Sequence, residues 1–245
     1  MSPDLIRHVL QAVIVVAALF VLYGQCRKPK WWLGRRIAMA MNIQHSGVTD
    51  WGLSHATIGK RATILDVGCG GGRTVQKLAA IATEGKVCGI DYSDASVAVA
   101  RSTNSDLVDA GRVEIKHGSV SQLPYPDETF DVVTAVETHY YWPDFVNDLR
   151  EVLRVLKPGG KLVLIAETYK GRSFDFVYRP VMTLLLRATY LTPSEHRDAL
   201  DRAGFTGTDV STERAKGRIC AVGTKAVTVT SSAPARATGA RHGQP

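Results

Sequence analysis

The stretch Ile64-Leu65-Asp66-Val67-Gly68-Cys69-Gly70-Gly71-Gly72 decides the fold. It begins as a short apolar strand that carries one acid, Asp66, and it continues into a turn with four glycines. An apolar-periodic stretch follows from Arg73, so the turn opens a helix. Glycines allow positive φ angles and let a ligand lie against bare backbone, and the N–H groups at a helix start attract negative groups. Strand, glycine turn and helix together predict a site for a nucleotide-like cofactor.

Composition and charge favour one globular α/β domain with extra segments at its ends. The 245 residues are 45% apolar, which is ordinary for a protein with a packed core. The net charge of +7 lies at the ends: residues 1–60 carry a balance of +5, residues 226–245 a balance of +2, and residues 61–225 are neutral. A neutral middle gives no support to a nucleic-acid partner. A basic flank beside an apolar stretch points to a membrane surface instead.

The four cysteines form no metal or redox motif. Cys26, Cys69, Cys88 and Cys220 are never spaced as C-x-x-C, so the sequence shows no zinc or redox site. We expect them to be small buried side chains in a reducing compartment.

Residues 1–25 form an apolar helix that we interpret as a membrane anchor. The fifteen residues from Val9 to Tyr23 contain one strongly polar side chain, and extension to 5–24 reaches the ~20 residues that a spanning helix needs. Basic residues and two tryptophans follow, as is typical of a membrane interface, and the more positive carboxyl-terminal flank predicts a domain in the cytoplasm. A helix that packs on the domain or a partner, and a signal peptide, are the alternatives. Without insertion the protein is expected to be cytoplasmic.

Residues 26–60 are predicted to form a basic connector that contains no clear strand and is helical in part between Met39 and His55. The connector is interpreted either as a lid over the cofactor pocket or as a packing extension of the first helix. His45 is a weaker candidate base, which matters only if the connector folds over the pocket. The last segment, residues 226–245, is rich in Ala, Ser, Thr, Gly and Pro, and this composition predicts disorder.

Residues 61–225 alternate short apolar runs with helical patterns, which is typical of a parallel sheet with crossover helices. The predicted strands are 63–67, 86–91, 112–117, 130–136, 161–166, 205–211 and 217–225. The predicted helices are 74–83, 93–110 with Ser93 or Asp94 as its cap, 143–157 with Pro143 in its first turn, and one that starts after Thr192 or Ser194 and ends before Gly204. Pro158-Gly159-Gly160 predicts a turn, and residues 171–191 an insertion with an apolar run.

In this region the chain resembles the class I S-adenosylmethionine-dependent methyltransferases, and within them the type 11-like small-molecule group. The resemblance covers about residues 61–225, and several motifs occur in the expected order. They are Leu65–Gly72, Gly89–Ser93, Leu123–Asp127 with Phe130–Val133, Leu153–Gly160 and Ala203–Phe205. The resemblance implies an α/β fold, a Rossmann-like seven-stranded sheet with helices on both faces, in which only the last strand is antiparallel.

S-adenosylmethionine is the cofactor that the resemblance implies, and each motif suits one part of it. An acid at Asp66 can help to hold the ammonium group, directly or through water, whereas it would repel the pyrophosphate of a dehydrogenase cofactor. Gly68, Cys69 and Gly70 belong to the turn that approaches the methionine end. Asp91 ends the second strand, where a carboxylate can accept both ribose hydroxyls. The structural alternative for Asp91 is a carboxylate that caps the following helix.

Four further positions complete the predicted cofactor site. Tyr92 can pack against the adenine or the ribose. Many relatives have an acid where Ser119 stands, so a hydroxyl would replace that acid at the adenine, beside the backbone and apolar side chain of Val120. The resemblance also implies that Glu137, after the fourth strand, passes beside the cofactor.

His139 is the candidate catalytic residue. The resemblance implies that its strand end faces the acceptor, and an imidazole with a pKa near the working pH can remove a proton. The alternative makes His139 a structural or pocket-lining residue. Tyr140 and Tyr141 are expected either to line the acceptor pocket or to be side chains of the core. The sequence shows no cluster of metal ligands, so no metal is expected.

The predicted function is methyl transfer by direct displacement to a small acceptor. Apolar side chains of the insertion are interpreted as a wall of the acceptor pocket or as a helix packed on the sheet; with the anchor, they favour a hydrophobic, lipid-like acceptor. These side chains are Phe174, Phe176, Tyr178, Val181, Met182, Leu184, Leu185 and Leu186. Two other function classes are kept: a non-catalytic S-adenosylmethionine-binding partner module, and a nicotinamide-dependent oxidoreductase.

Overall fold

The computed structural model describes Arg36 and residues 46–227. The predicted membrane anchor, most of the connector with His45, and all but the first two residues of the tail lie outside the described residues. The predictions made for them therefore stay predictions. Among the described residues, no helix has both the length and the apolar character that crossing a bilayer requires.

Seven strands form one sheet in the order β3-β2-β1-β4-β5-β7-β6. The strands are β1 Thr63–Val67, β2 Lys86–Asp91, β3 Val113–His117, β4 Phe130–Val136, β5 Leu156–Ala166, β6 Thr206–Glu213 and β7 Arg218–Thr224. Strand β7 runs antiparallel to both of its neighbours, whereas the pairs among β1 to β5 are parallel. The predicted Rossmann-like sheet with an antiparallel last strand is confirmed.

Helices cover both faces of this sheet. They are α1 Ser46–Leu53, α2 Arg73–Ile81, α3 Asp94–Thr103, α4 Ser105–Asp109, α5 Phe145–Val155, α6 Asp175–Pro180 and α7 Pro193–Ala203, with a 3-10 turn at His139–Tyr141 and a π-helical turn at Val181–Leu185. Side chains of successive strand residues point to opposite faces. Leu65 therefore joins the apolar cluster of α5 and α7, and Ile64 joins that of α1, α2 and α3. Burial on both faces explains why β4 is almost entirely apolar.

Helix α1, the described end of the connector, packs on the sheet near β5 and β7. A Cβ at Gly52 would lie 2.6 Å from Cγ2 of Ile165, and the Cys220 thiol donates to the Gly52 carbonyl at 3.5 Å. Val48 is fully buried in the same cluster. For residues 46–53 this contact favours the packing extension over the lid.

The predicted helix 93–110 is interrupted at Asn104. The Asn104 amide donates to the Ala100 carbonyl at 2.9 Å and to the Gly72 carbonyl at 3.0 Å. The Asn104 side chain is thus hydrogen-bonded to the glycine turn; α3 ends before this residue, and α4 begins after it. Of the two predicted caps, Ser93 and Asp94, the structure shows Ser93, whose hydroxyl accepts from the Ser96 N–H at 3.3 Å.

Two other boundaries differ from the prediction. Strand β5 begins at Leu156, because Pro158-Gly159-Gly160 forms an irregularity within the strand instead of a turn before it. Helix α5 begins at Phe145 with Asp144 as its cap, so Pro143 lies before the helix and not in its first turn.

The insertion contains α6 and its π-helical continuation. Phe174, Phe176 and Leu184 are 69%, 76% and 78% exposed, so the interpretation of these three side chains as a pocket wall is wrong. They point away from the domain because Met182 occupies the face that packs against Tyr140 and its neighbours.

Candidate cofactor site

The glycine turn, residues 68–72, follows β1 and is tied to the end of β2. The N–H groups of Gly68 and Cys69 donate to the Ile90 carbonyl at 2.8 and 3.0 Å. Gly68 has a φ of +70°, and a Cβ there would lie 2.6 Å from Cβ of Thr138 and closer still to its Oγ1. The turn can therefore pass beside the end of β4 only if it carries no side chain at this position.

Asp91, the last residue of β2, is held by two backbone N–H groups. Its Oδ2 accepts from Gly70 and its Oδ1 from Ser93, both at 2.9 Å. Burial raises the pKa of this carboxyl, and the two hydrogen bonds oppose that rise. Each carboxylate oxygen offers further lone-pair capacity, so Asp91 can still accept hydrogen bonds from a ligand. The cap of α3 is Ser93, so the structural alternative for Asp91 as that cap is wrong.

A cleft opens beside Asp91 at the carboxyl edge of the parallel strands. We call it the cofactor cleft; it is lined by Val67, Gly68, Ile90, Asp91, Tyr92, Gly118, Ser119, Val120, Thr138, Tyr141, Trp142 and Pro143. Strand order reverses here, because β1 lies between β2 and β4. Ligands of open α/β sheets bind at such a switch point, outside the carboxyl ends of the strands. Five of the predicted cofactor residues line this cleft: Gly68, Asp91, Tyr92, Ser119 and Val120.

The part of the cleft after β3 is built around Ser119. Its hydroxyl accepts from the Ser121 N–H at 3.3 Å, and Val120 beside it is buried. The Gly118 N–H donates to the Asp91 carbonyl at 3.0 Å, which fixes this loop next to the end of β2. A hydroxyl and an apolar side chain thus line this part of the cleft, and their contact with an adenine stays a prediction.

Asp66 lies behind the glycine turn and does not line the cleft. It is 1% exposed, and the Thr134 hydroxyl donates to its Oδ1 at 2.6 Å. Burial raises the pKa of Asp66 to about 7; the Thr134 hydrogen bond opposes this rise and the nearby Asp91 carboxylate adds to it. A contact between Asp66 and the ammonium group of a cofactor stays a prediction.

Three more predicted cofactor residues are absent from the described lining of the cleft. Cys69 is buried against Val75 and Gly89 in the apolar cluster of α2, and burial raises the pKa of its thiol well above the usual range. Gly70 contributes through its N–H to Asp91. Glu137 has a left-handed φ of +56°, and its carboxylate accepts from the Glu167 N–H.

His139 is fully buried outside the cleft, in a pair with His196. Their Nε2 atoms lie 3.3 Å apart, and Nδ1 of His196 donates to the Thr192 carbonyl at 2.8 Å. A neutral His196 therefore has a bare Nε2, which accepts from the Nε2–H of His139. Nδ1 of His139 is then unprotonated and has no partner. Burial lowers the pKa of both imidazoles, and this geometry favours the structural alternative for His139.

The two tyrosines after His139 divide between different surroundings. Tyr141 lines the cofactor cleft. Tyr140 is buried, and its hydroxyl donates to the Thr168 carbonyl at 3.0 Å. The core alternative therefore holds for Tyr140, which joins the loop after β4 to the loop after β5, and the pocket expectation is wrong for it.

Several lining residues were missed from the sequence. Thr138, Trp142 and Pro143 come from the irregular loop after β4, whose path is set by tertiary contacts and has no local signal. Trp142 is 6% exposed and its indole Nε1–H has no acceptor. Within residues 46–227, no group of three or more His, Cys, Asp or Glu side chains is placed to hold a metal ion.

Comparisons with known proteins agree with this geometry. Residues 65–164 match the family described as a methyltransferase domain. The demethylmenaquinone methyltransferase of Bacillus licheniformis is 36% identical over 134 residues, which are 54% of this chain and 56% of that protein. That of Oceanobacillus iheyensis is 38% identical over 129 residues, 50% of this chain and 54% of that protein. The chain thus spans about half the length of the curated relatives it matches.

Solved structures share the fold. A chain of the complex between the Haloferax volcanii methyltransferase activator Trm112 and a methyltransferase superposes with a TM-score of 0.66 at 21% identity, over 77% of this chain and 93% of that chain. An S-adenosylmethionine-dependent methyltransferase from Aquifex aeolicus gives 0.62 at 20% identity, over 78% and 98%. Residues 65–164 thus match a methyltransferase domain, and the order of the sequence motifs and of the strands agrees with that match.

Proposed function

We propose that the chain is an S-adenosylmethionine-dependent methyltransferase that acts on a small, apolar, quinone-like acceptor. One observation carries the proposal: a carboxylate at the end of β2, Asp91, is oriented by the N–H of Gly70 and walls a cleft at the switch point of the sheet. A carboxylate in this place suits ribose hydroxyls. The names of the curated relatives support the acceptor class.

The residues present fit the cofactor. Asp91 would accept from the ribose hydroxyls, and the loop of Ser119 and Val120 would hold the adenine. Gly68 brings bare backbone to the cleft, and a Cβ at Gly70 would meet nothing within 4 Å, so the turn leaves room on that side. Tyr92 supplies an aromatic wall.

Methyl transfer by direct displacement requires the protein to align the reacting atoms more than to supply acid or base groups. When bound, the cofactor supplies a methyl group that is already activated by a positively charged sulfur. The chain must hold the acceptor atom in line with this group and keep water out, and such positioning is worth several kcal/mol in enzymes. Tyr141, Trp142 and Pro143 form an aromatic and apolar wall suited to excluding water. Proton removal by His139 stays a prediction, and its buried pairing with His196 does not favour it.

The proposal is tested by direct transfer. The full chain is incubated with methyl-labelled S-adenosylmethionine and either reduced 1,4-naphthoquinone or a lipid extract, and products are identified by mass spectrometry. The expected result is an acceptor that has gained one labelled methyl group, with much less label in the Asp91→Asn variant at a cofactor concentration below saturation. Cofactor binding without transfer to any acceptor would contradict the enzyme and favour a non-catalytic binding module.

The location of the enzyme forms a separate proposal. We infer from the sequence that residues 5–24 anchor the chain in a membrane with the domain on the cytoplasmic side. An apolar acceptor dissolved in the bilayer would then be close to the domain.

A further inference from the structure

A second cleft lies at the same edge of the sheet as the cofactor cleft. It has a volume of about 580 Å³ and is lined by Glu167, Thr168, Arg172, Tyr178, Lys216 and Arg218. Glu167 and Thr168 directly follow β5, and Arg218 begins the antiparallel β7. The register that pairs Ala166 with Ile219 brings Glu167 beside Arg218. Strand ends thus form this second cleft, as they form the cofactor cleft.

The loop after β4 connects the two clefts. Glu137 precedes Thr138, which lines the cofactor cleft, and its carboxylate accepts from the N–H of Glu167. The Tyr140 hydroxyl donates to the Thr168 carbonyl at 3.0 Å and accepts from the Thr168 N–H at 3.2 Å. A molecule in the second cleft would therefore lie against the residues that separate it from the cofactor cleft.

Positive side chains predominate in the second cleft. Lys216 and Arg218 share one carboxylate, that of Glu213, at 3.0 and 3.3 Å. The charged side chains of the lining itself are three cations and one acid, Glu167; the Glu213 and Glu137 carboxylates contact lining residues without belonging to the lining. An anion that enters the cleft would therefore face mainly positive side chains.

Arg172 is fixed in position before any ligand arrives. Its Nη1 donates to the Glu167 carbonyl at 3.0 Å, and its guanidinium carbon lies 4.4 Å from the centre of the Tyr178 ring. A Cβ at Gly217 would collide with the guanidinium, so glycine is needed there. The Nε atom of Arg172 is buried and has no hydrogen-bond partner. The buried Nε is out of reach of a ligand, but the residue lines the cleft, and a guanidinium that is already held in position is suited to binding an anionic group from outside the chain.

We propose that the second cleft binds an anionic group, a carboxylate or a phosphate, carried by the apolar methyl acceptor. Arg172, Lys216 and Arg218 bind the anion, and the Tyr178 ring contacts the apolar body beside it. The inference rests on the proposed function, because it assigns this cleft to the acceptor of the same reaction. It narrows the acceptor from an apolar molecule to an apolar molecule with a charged end.

The test compares a charged probe with a neutral one of the same shape. Binding of 2-naphthoate and of 2-naphthamide to the full chain is measured by calorimetry in the presence of S-adenosylhomocysteine. The variants are Lys216→Glu and Arg214→Glu, which make the same charge change on one turn; of these two residues, only Lys216 lines the cleft. Lys216 is 59% exposed, so the fold should tolerate the change, and Lys216→Gln provides a milder variant.

We expect the full chain to bind naphthoate more tightly than naphthamide. Lys216→Glu should weaken naphthoate binding roughly five- to tenfold, as reversal of one nearby exposed charge would, Lys216→Gln by less, and Arg214→Glu hardly at all. Equal affinity for the two probes, or an equal loss in the Arg214 variant, would overturn the proposal. Inorganic phosphate that binds as tightly as naphthoate would also overturn it, because the cleft would then take a free anion. S-adenosylhomocysteine binding, measured separately, reports on the proposed function alone.

Discussion

Two features of the turn require glycine at position 68: its left-handed φ and its close approach to Thr138. Alanine substitutions at Gly68 and Gly111 separate these two effects. Gly68 and Gly111 share a φ of +70°. A Cβ at Gly111 would meet nothing within 4 Å, whereas one at Gly68 would lie 2.6 Å from Cβ of Thr138. Gly111→Ala therefore measures backbone strain alone, and Gly68→Ala measures strain together with overlap against the end of β4.

The magnitudes follow from these two terms. A left-handed conformation costs an alanine roughly 1–2 kcal/mol, and overpacking of a tight site adds about 1–3 kcal/mol. We expect Gly111→Ala to lower the free energy of unfolding by about 1–2 kcal/mol and Gly68→Ala by about 2–5 kcal/mol. Denaturant unfolding of both variants measures these values.

The same variants report on ligand binding. Gly68→Ala should also weaken S-adenosylhomocysteine binding, because relief of the overlap moves the turn that walls the cofactor cleft. Adding Thr138→Gly should recover part of the lost stability, since it removes the side chain that the new methyl group meets. Overlap with Thr138 is refuted if Gly68→Ala lowers the free energy of unfolding no more than Gly111→Ala does, or if Thr138→Gly restores none of the lost stability.

Three further predictions concern pH and the membrane. The pKa of Asp66 is about 7 in the folded chain against 3.8 for a free side chain, so between pH 4 and pH 7 the folded chain keeps a proton that the unfolded chain loses. As the pH rises through this range, the stability of the unmodified chain should decrease relative to that of Asp66→Asn by about 4 kcal/mol and then level off. A difference in unfolding free energy that does not change with pH would contradict this. The pKa values of His139 and His196 are lowered in the folded chain, so below about pH 6.5 the unfolded chain binds more protons and the stability should decrease as the pH decreases. His139→Gln should reduce this pH dependence of the unfolding free energy by up to about 1.4 kcal/mol per pH unit. The same reduction in His117→Gln, an exposed control, would argue against the histidine pair as the cause. Deletion of residues 1–30 should release the protein from the membrane fraction and leave cofactor affinity unchanged, and sedimentation of the shortened protein with membranes would show the anchor to be wrong.

The sheet was predictable because each strand carries its own signal. Runs such as 63–67 and 130–136 are apolar and bounded by glycine or by turn residues, and their predicted limits match β1 and β4. The break at Asn104 was missed, although residues 101–106 are all polar, because the contact that holds the Asn104 side chain has no local signal. That contact is a hydrogen bond to Gly72, 32 residues away in the sequence.

The candidate site, like the fold, was predictable only where its residues belong to local motifs. Asp91 and the glycine turn belong to local motifs, and the structure joins them through one hydrogen bond. The surroundings of His139 depend on His196, 57 residues further along, so no local pattern could show that its imidazole is buried. The second cleft likewise combines the insertion with the turn before β7, and only the fold brings these together.

A calorimetric titration with S-adenosylhomocysteine, and in parallel with NAD, tests the central claim most directly. We expect S-adenosylhomocysteine to bind and NAD not to bind. We also expect about ten- to hundredfold weaker binding of S-adenosylhomocysteine in Asp91→Asn, because hydrogen bonds to a charged group are lost, and little change in Asp94→Asn, whose side chain is 95% exposed. Preference for NAD, or full affinity for S-adenosylhomocysteine in Asp91→Asn, would contradict the account.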